Sequence, residues 1–92
     1  MTRPVAIITG ASDGIGAELA RIFAAKGHDL ALVARRGERL EALADDIAAS
    51  GAARPLPIEL DLTEPGAAQR LEERLVEAGA APQYLVNNAG FG

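Results

Sequence analysis

The stretch Thr9-Gly10-Ala11-Ser12-Asp13-Gly14-Ile15-Gly16 constrains this chain more than any other feature. It follows the apolar run Val5-Ala6-Ile7-Ile8 and opens an amphipathic segment over residues 15–26. A strand, a glycine-rich turn and a helix start, in that order, make a cradle for a phosphate group. The first N–H groups of a helix lack intrahelical acceptors and carry partial positive charge. Glycines let the backbone turn sharply and let a pyrophosphate come close without meeting a Cβ atom. The segment therefore predicts half of a dinucleotide site. Gly10 suits the tight turn, Gly14 the close approach to the pyrophosphate and Gly16 the packing of helix on strand. Ser12 and the N–H groups near Ile15 can donate to phosphate oxygens, with Asp13 between them in the turn. The alternative is an ordinary strand-to-helix turn capped by Ser12 or Asp13.

The rest of the chain alternates strand and helix, which predicts an α/β fold with a parallel sheet and crossover helices. Strands are expected over residues 5–9, 29–34, 57–60 and 84–87. Helices are expected over residues 15–26, 38–49 and 65–78, each closed by a glycine: Gly27, Gly51 and Gly79. The periodicity predicts Ile15, Leu19, Ile22 and Phe23 on the buried face of the first helix. It predicts Leu40, Leu43, Ala44 and Ile47 for the second, and Leu71 and Leu75 for the third. Thr63 or Glu64 would cap the third helix, with Pro65 in its first turn. Right-handed crossovers then put the first two helices on one face and the third on the other, with strand order 3-2-1-4. The crevice between strands one and four is the switch point, where such sheets bind ligands. The glycine turn and the loop Asn88-Ala89-Gly90 both fall there.

Composition narrows the function classes. The 92 residues are enough for one domain, and the formal net charge of −4 argues against a nucleic-acid or membrane-surface binder. The chain has no cysteine and one histidine, which excludes disulfides and thiolate metal sites. The first apolar run is too short for a signal-peptide core, so the expected compartment is the cytoplasm.

Four motifs stand at the ends of the four expected strands: Thr9-Gly10-x-x-x-Gly14-x-Gly16, Ala34-Arg35-Arg36, Asp61-Leu62 and Asn87-Asn88-Ala89-Gly90. In this order and spacing they resemble the coenzyme-binding half of the short-chain dehydrogenase/reductase family. The resemblance covers nearly the whole chain and implies a partial, truncated Rossmann-type sheet, with residues 1–92 as the N-terminal part of one coenzyme-binding domain. It implies hydride transfer between a nicotinamide coenzyme and a carbonyl or alcohol, and that Thr9 ties the glycine turn to the Asn88 loop. It also implies that the full-length protein associates with its own copies through helices beyond residue 92.

Residue chemistry at the second strand's end bears on which coenzyme is bound. An NAD site places an acidic group about 20 residues past the glycines, on the ribose 2′-OH. Here Arg35 and Arg36 follow Ala34, and guanidinium groups pair with a 2′-phosphate that a carboxylate would repel. The expectation is NADP (NADPH) in preference to NAD, with Arg35 the nearer contact. The alternative is a solvated basic turn offset by Glu38 and Glu41. By resemblance, the Asp61 carboxylate and the Leu62 N–H border the adenine, and Asn88, Ala89 and Gly90 run beside the riboses. Asp61 and Thr63 could instead merely cap the third helix.

The family's reaction resembles one in which a Tyr, helped by a Lys four residues later, is the proton donor, beside a Ser and a further Asn. This chain departs from that pattern. Its one tyrosine, Tyr84, is followed at the fourth place by Asn88, and its one lysine is Lys26. Tyr84 is expected to open strand four, away from the site, as a packing residue, and His28 to face solvent. No catalytic or metal-binding residue is assigned. Three functions stay open at this point: the coenzyme-binding part of an oxidoreductase, a non-catalytic NADP sensor, and a truncation product without function.

Overall fold

A computed structural model describes residues 2–12 and 14–88. Four strands and three helices alternate: β1 (Arg3–Thr9), α1 (Gly14–Ala25), β2 (Leu30–Ala34), α2 (Gly37–Ala49), β3 (Leu56–Glu59), α3 (Ala67–Glu77) and β4 (Ala80–Val86). The sheet order is β3-β2-β1-β4, and every neighbouring pair is parallel. This is the order that the crossover rule requires.

The two central strands are covered on both faces, so their buried residues form continuous runs rather than alternating ones. All five residues of β2 are buried, as are the last five of β1. Their side chains still divide by parity between two cores. Ala6, Ile8, Leu30, Leu32 and Ala34 face α1 and α2, meeting Ala20, Ala24, Leu40, Leu43 and Ile47. Val5, Ile7, Ala31, Val33 and Ile58 face the other way, where α3 contributes Leu75. Helix α2 buries Leu40, Leu43, Ala44 and Ile47, the stripe that its periodicity predicts.

Helix α1 departs from expectation. Its buried residues are Gly16, Ala20 and Ala24, while Ile15 is 68% and Ile22 44% exposed. Leu19 and Phe23 are half-buried. The cause is the closeness of approach. A Cβ on Gly16 would lie 2.2 Å from the carbonyl oxygen of Gly10, so only small side chains fit beneath the helix. The larger groups are displaced to its flanks.

Two other boundaries are corrected. Helix α3 starts at Ala67, not at residue 65, with Gly66 in the N-cap position at φ 79°. Thr63 and Glu64 do not cap it, because the preceding chain folds into its own turn around Asp61. Leu75 is buried as expected, and Leu71 is half-buried. Strand β4 begins four residues earlier than the expected 84, since Arg3, Pro4 and Val5 pair with Ala80, Ala81 and Pro82. The register shifts before Ala6 pairs with Tyr84, leaving Gln83 as an extra residue. Proline cannot donate to a ladder and is tolerated beside such irregularities on edge strands. Tyr84 therefore lies within β4 rather than opening it, and it is 49% exposed. His28 is not simply solvent-facing: its ring lies 5.3 Å from that of Phe23 and 5.5 Å from that of Tyr84, edge-on to the latter. Among the described residues, no helix is long and apolar enough to cross a membrane.

Candidate coenzyme site at the carboxyl ends of the strands

The glycine turn is held from below by backbone and by one buried hydroxyl. Gly10 has φ 64°, a left-handed conformation that a residue with Cβ adopts at a cost. Ala11 is fully buried and its N–H donates to the Val33 carbonyl at 3.3 Å, tying the turn to β2. Gly16 presses against Gly10 from the helix side. A Cβ on Gly14 would by contrast meet nothing within 4 Å among the described residues. Packing among the described residues thus accounts for a glycine at position 16 and not for one at position 14.

Thr9, the one buried polar residue among those described, joins β1 to the end of β4. Its Oγ1 accepts the Asn88 N–H at 2.9 Å and has Asn87 Oδ1 at 3.1 Å and the Val86 carbonyl at 3.4 Å as acceptors for its own hydrogen. Asn88 Nδ2 donates to the Gly10 carbonyl at 3.4 Å. The turn and the chain after β4 are therefore tied across the β1–β4 crevice, as the resemblance implies. Asp13, Ala89 and Gly90 lie outside the described residues.

A shallow depression of about 370 Å³ lies at the ends of β2 and β3, lined by Arg35, Glu59, Leu60, Asp61, Glu64 and Arg70. It brings Arg35 and Asp61 together. Asp61 Oδ1 accepts the Thr63 hydroxyl at 2.6 Å and the Thr63 N–H at 2.9 Å. These two bonds, with a smaller contribution from the Arg35 charge, hold the Asp61 carboxyl below its ordinary range. Leu62 packs against the core that β1, β2 and α3 share. Arg36 is exposed at the N-cap of α2 and does not line the depression. Glu41 pairs with Arg54 at 2.7 Å rather than offsetting the arginine turn.

Sequence reasoning missed Glu59, Glu64 and Arg70 as walls of this depression. The adjacency of β2 and β3 was predictable and could have pointed to Glu59, the last residue of β3. Arg70 sits on α3, whose start was misplaced.

The sequence profile of the short chain dehydrogenase family matches residues 4–92. The chain belongs to the short-chain dehydrogenase/reductase family. It is 38% identical over 92 residues to dehydrogenase/reductase SDR family member 7B of Bos taurus, covering 95% of this chain and 28% of that protein. It is 44% identical over 87 residues to a probable NADP-dependent dehydrogenase of Dichelobacter nodosus, covering 95% of this chain and 78% of that one. Among solved structures it resembles a short-chain dehydrogenase from Sphingobium yanoikuyae in complex with NADPH. That match has TM-score 0.76 and 48% identity, over 94% of this chain and 34% of the other. The chain spans about a quarter of the length of several curated short-chain dehydrogenase relatives. Its fold is the Rossmann-type α/β sheet of its family, in the order expected.

Proposed function

We propose that these residues form the NADP-binding portion of a short-chain oxidoreductase, the whole protein moving a hydride between NADP(H) and a carbonyl or alcohol. The contrast between two glycines carries this reading. Packing explains Gly16, but no described protein atom would meet a side chain at Gly14, on the first residue of a helix. A glycine that the described packing does not call for fits a ligand that lies against it.

Gly10, Ser12, Asp13, Gly14, Ile15 and Gly16 would cradle the pyrophosphate. Arg35, with Arg36 beside it, would pair with the 2′-phosphate. Asp61 and Leu62 would meet the adenine, and Asn88, Ala89 and Gly90 the riboses. The nicotinamide, when bound, supplies or accepts the hydride. This chain's residues bind and orient it, and the Thr9 network fixes the spacing between the phosphate turn and the ribose loop. A coenzyme of this type is supported by the NADPH complex of the Sphingobium relative and by the NADP-dependent assignment of the Dichelobacter one. On this reading the 92 residues are part of one coenzyme-binding domain, bind NADP weakly and by themselves turn over no substrate. Tyr84 meets His28 edge-on and has no lysine four residues on, so it supplies no proton-donor pair.

Titration of the chain with NADPH and NADH, following coenzyme fluorescence, tests the reading. Replacing Arg35→Asp is expected to weaken NADPH by at least about tenfold and to spare or improve NADH. An equal response of the two coenzymes would refute the assignment to the 2′-phosphate.

A further inference from the structure

The two arginines occupy a turn that is tied to β3 at both ends. On one side the Leu60 N–H donates to the carbonyl of Ala34 at 2.9 Å, a backbone bond that no substitution of side chain removes. On the other, the Gly37 N–H donates to Oε1 of Glu59 at 2.8 Å. That second tie is unusual in kind. The first turn of α2 has no local cap, since the side chain of its N-cap residue, Arg36, makes no capping bond. A carboxylate from the neighbouring strand takes that place. An anion at a helix N-terminus is favourable by charge and by hydrogen bonding. The contact is also close: a Cβ on Gly37 would stand 2.8 Å from Glu59 Oε1 and 2.9 Å from its Cδ. A methyl group at position 37 would therefore displace the carboxylate end of Glu59 from its present place on the amide.

We propose that Glu59 is a positioning residue for coenzyme selectivity, clasping the Gly37 amide so that the turn carrying Arg35 and Arg36 keeps one shape. The inference rests on the NADP reading above and adds to it the group that presents the guanidiniums. Glu59 lines the same depression as Arg35, so its charge stands close to where a 2′-phosphate would sit. Engaging the amide directs that charge into the helix end. Without the clasp, the Arg35-Arg36 turn is held on its β3 side by the backbone bond alone. The arginines then have to be ordered at the moment of binding, at a cost in affinity.

The test compares NADPH and NADH affinity of the chain in five variants, Arg35→Asp among them, together with hydrogen exchange at the Gly37 amide. Glu59→Ala is expected to weaken NADPH by about three- to tenfold with little change for NADH, and to speed exchange at Gly37. Glu59→Gln keeps an oxygen acceptor, so it is expected to restore both the coenzyme split and the amide protection. Gly37→Ala pushes the carboxylate away and should reproduce Glu59→Ala, and the double variant should lose no more than either single one. A loss merely of stability would move both coenzymes together and would not be rescued by glutamine. The proposal is overturned if Glu59→Ala leaves the split unchanged while Arg35→Asp alters it. It is also overturned if alanine and glutamine at position 59 both tighten NADPH, which would make Glu59 a repelling charge. Should Arg35→Asp itself leave the split unchanged, the NADP reading falls, and this inference with it.

Discussion

The two ends of the candidate site are built from different materials. The phosphate turn is held by backbone: Gly16 against the Gly10 carbonyl, Ala11 bonded to β2, and a buried Thr9 hydroxyl bonded to Asn88. The adenosine end is held by side chains in water: Asp61 on Thr63, Glu59 on Gly37, and an exposed Arg35. A pyrophosphate is common to both dinucleotides, so its cradle can be rigid and unchanging. The distinction between NADP and NAD lies in one ester group. Exposed side chains can be exchanged there without disturbing the core, because surface substitutions cost little stability. On the proposed reading, affinity for the shared part is written into the backbone turn, and selectivity into exposed side chains beyond the core.

If that contrast is right, the largest effect belongs to Gly16→Ala. Its Cβ would fall 2.2 Å from one backbone atom and within 2.9 Å of two others, none of which is a flexible side-chain end. Overpacking of this kind costs roughly 1–3 kcal/mol or more, to be read as a lowered urea midpoint, and should abolish coenzyme binding. Thr9→Val comes next. It leaves the half-buried Asn88 N–H without its acceptor, a loss of about 1 kcal/mol in the same measurement. Gly14→Ala sharpens the comparison. No described atom obstructs the new methyl group, and alanine is the better helix former by up to about 1 kcal/mol. Stability is therefore expected to hold or rise while affinity for both coenzymes falls. A variant that bound as well as the parent would show that no ligand passes that glycine.

The smallest effect is that of pH on Asp61. Its folded-state pKa lies below the ordinary 3.8, through its two bonds to Thr63 and then the Arg35 charge. The contribution to stability is therefore complete above the unfolded value and lost as pH falls through the lower folded value. An acid titration of the Asp61 carboxyl by NMR should show this depressed midpoint, and Thr63→Ala should return it toward the ordinary value. At neutral pH Asp61 stays ionised, so its contribution to stability does not change there.

Much of this was readable from residue order. Strand–helix alternation, the 3-2-1-4 order, the α2 stripe of Leu40, Leu43, Ala44 and Ile47, and the Thr9–Asn88 tie all follow from local pattern, crossover handedness or family motif. The misreadings share a cause. Helix α1 was expected to bury its largest apolar groups, but the distance between helix and sheet is set by Gly16 and Gly10, and no periodicity reports it. The start of α3 was misplaced because Thr63 has two possible employments, as a helix cap or in the Asp61 turn, and only the folded chain selects one. Glu59 and Gly37 are 22 residues apart and neither stands out alone.

What the order of residues determined by itself was the kind of structure and the family. Hydrophobic period, glycine placement and crossover handedness act over short stretches of chain, and they leave few arrangements open. What only the tertiary structure decided was how closely elements approach and which polar groups meet. Those depend on side chains far apart in sequence sharing one small space, where a few tenths of an ångström separate a hydrogen bond from a collision.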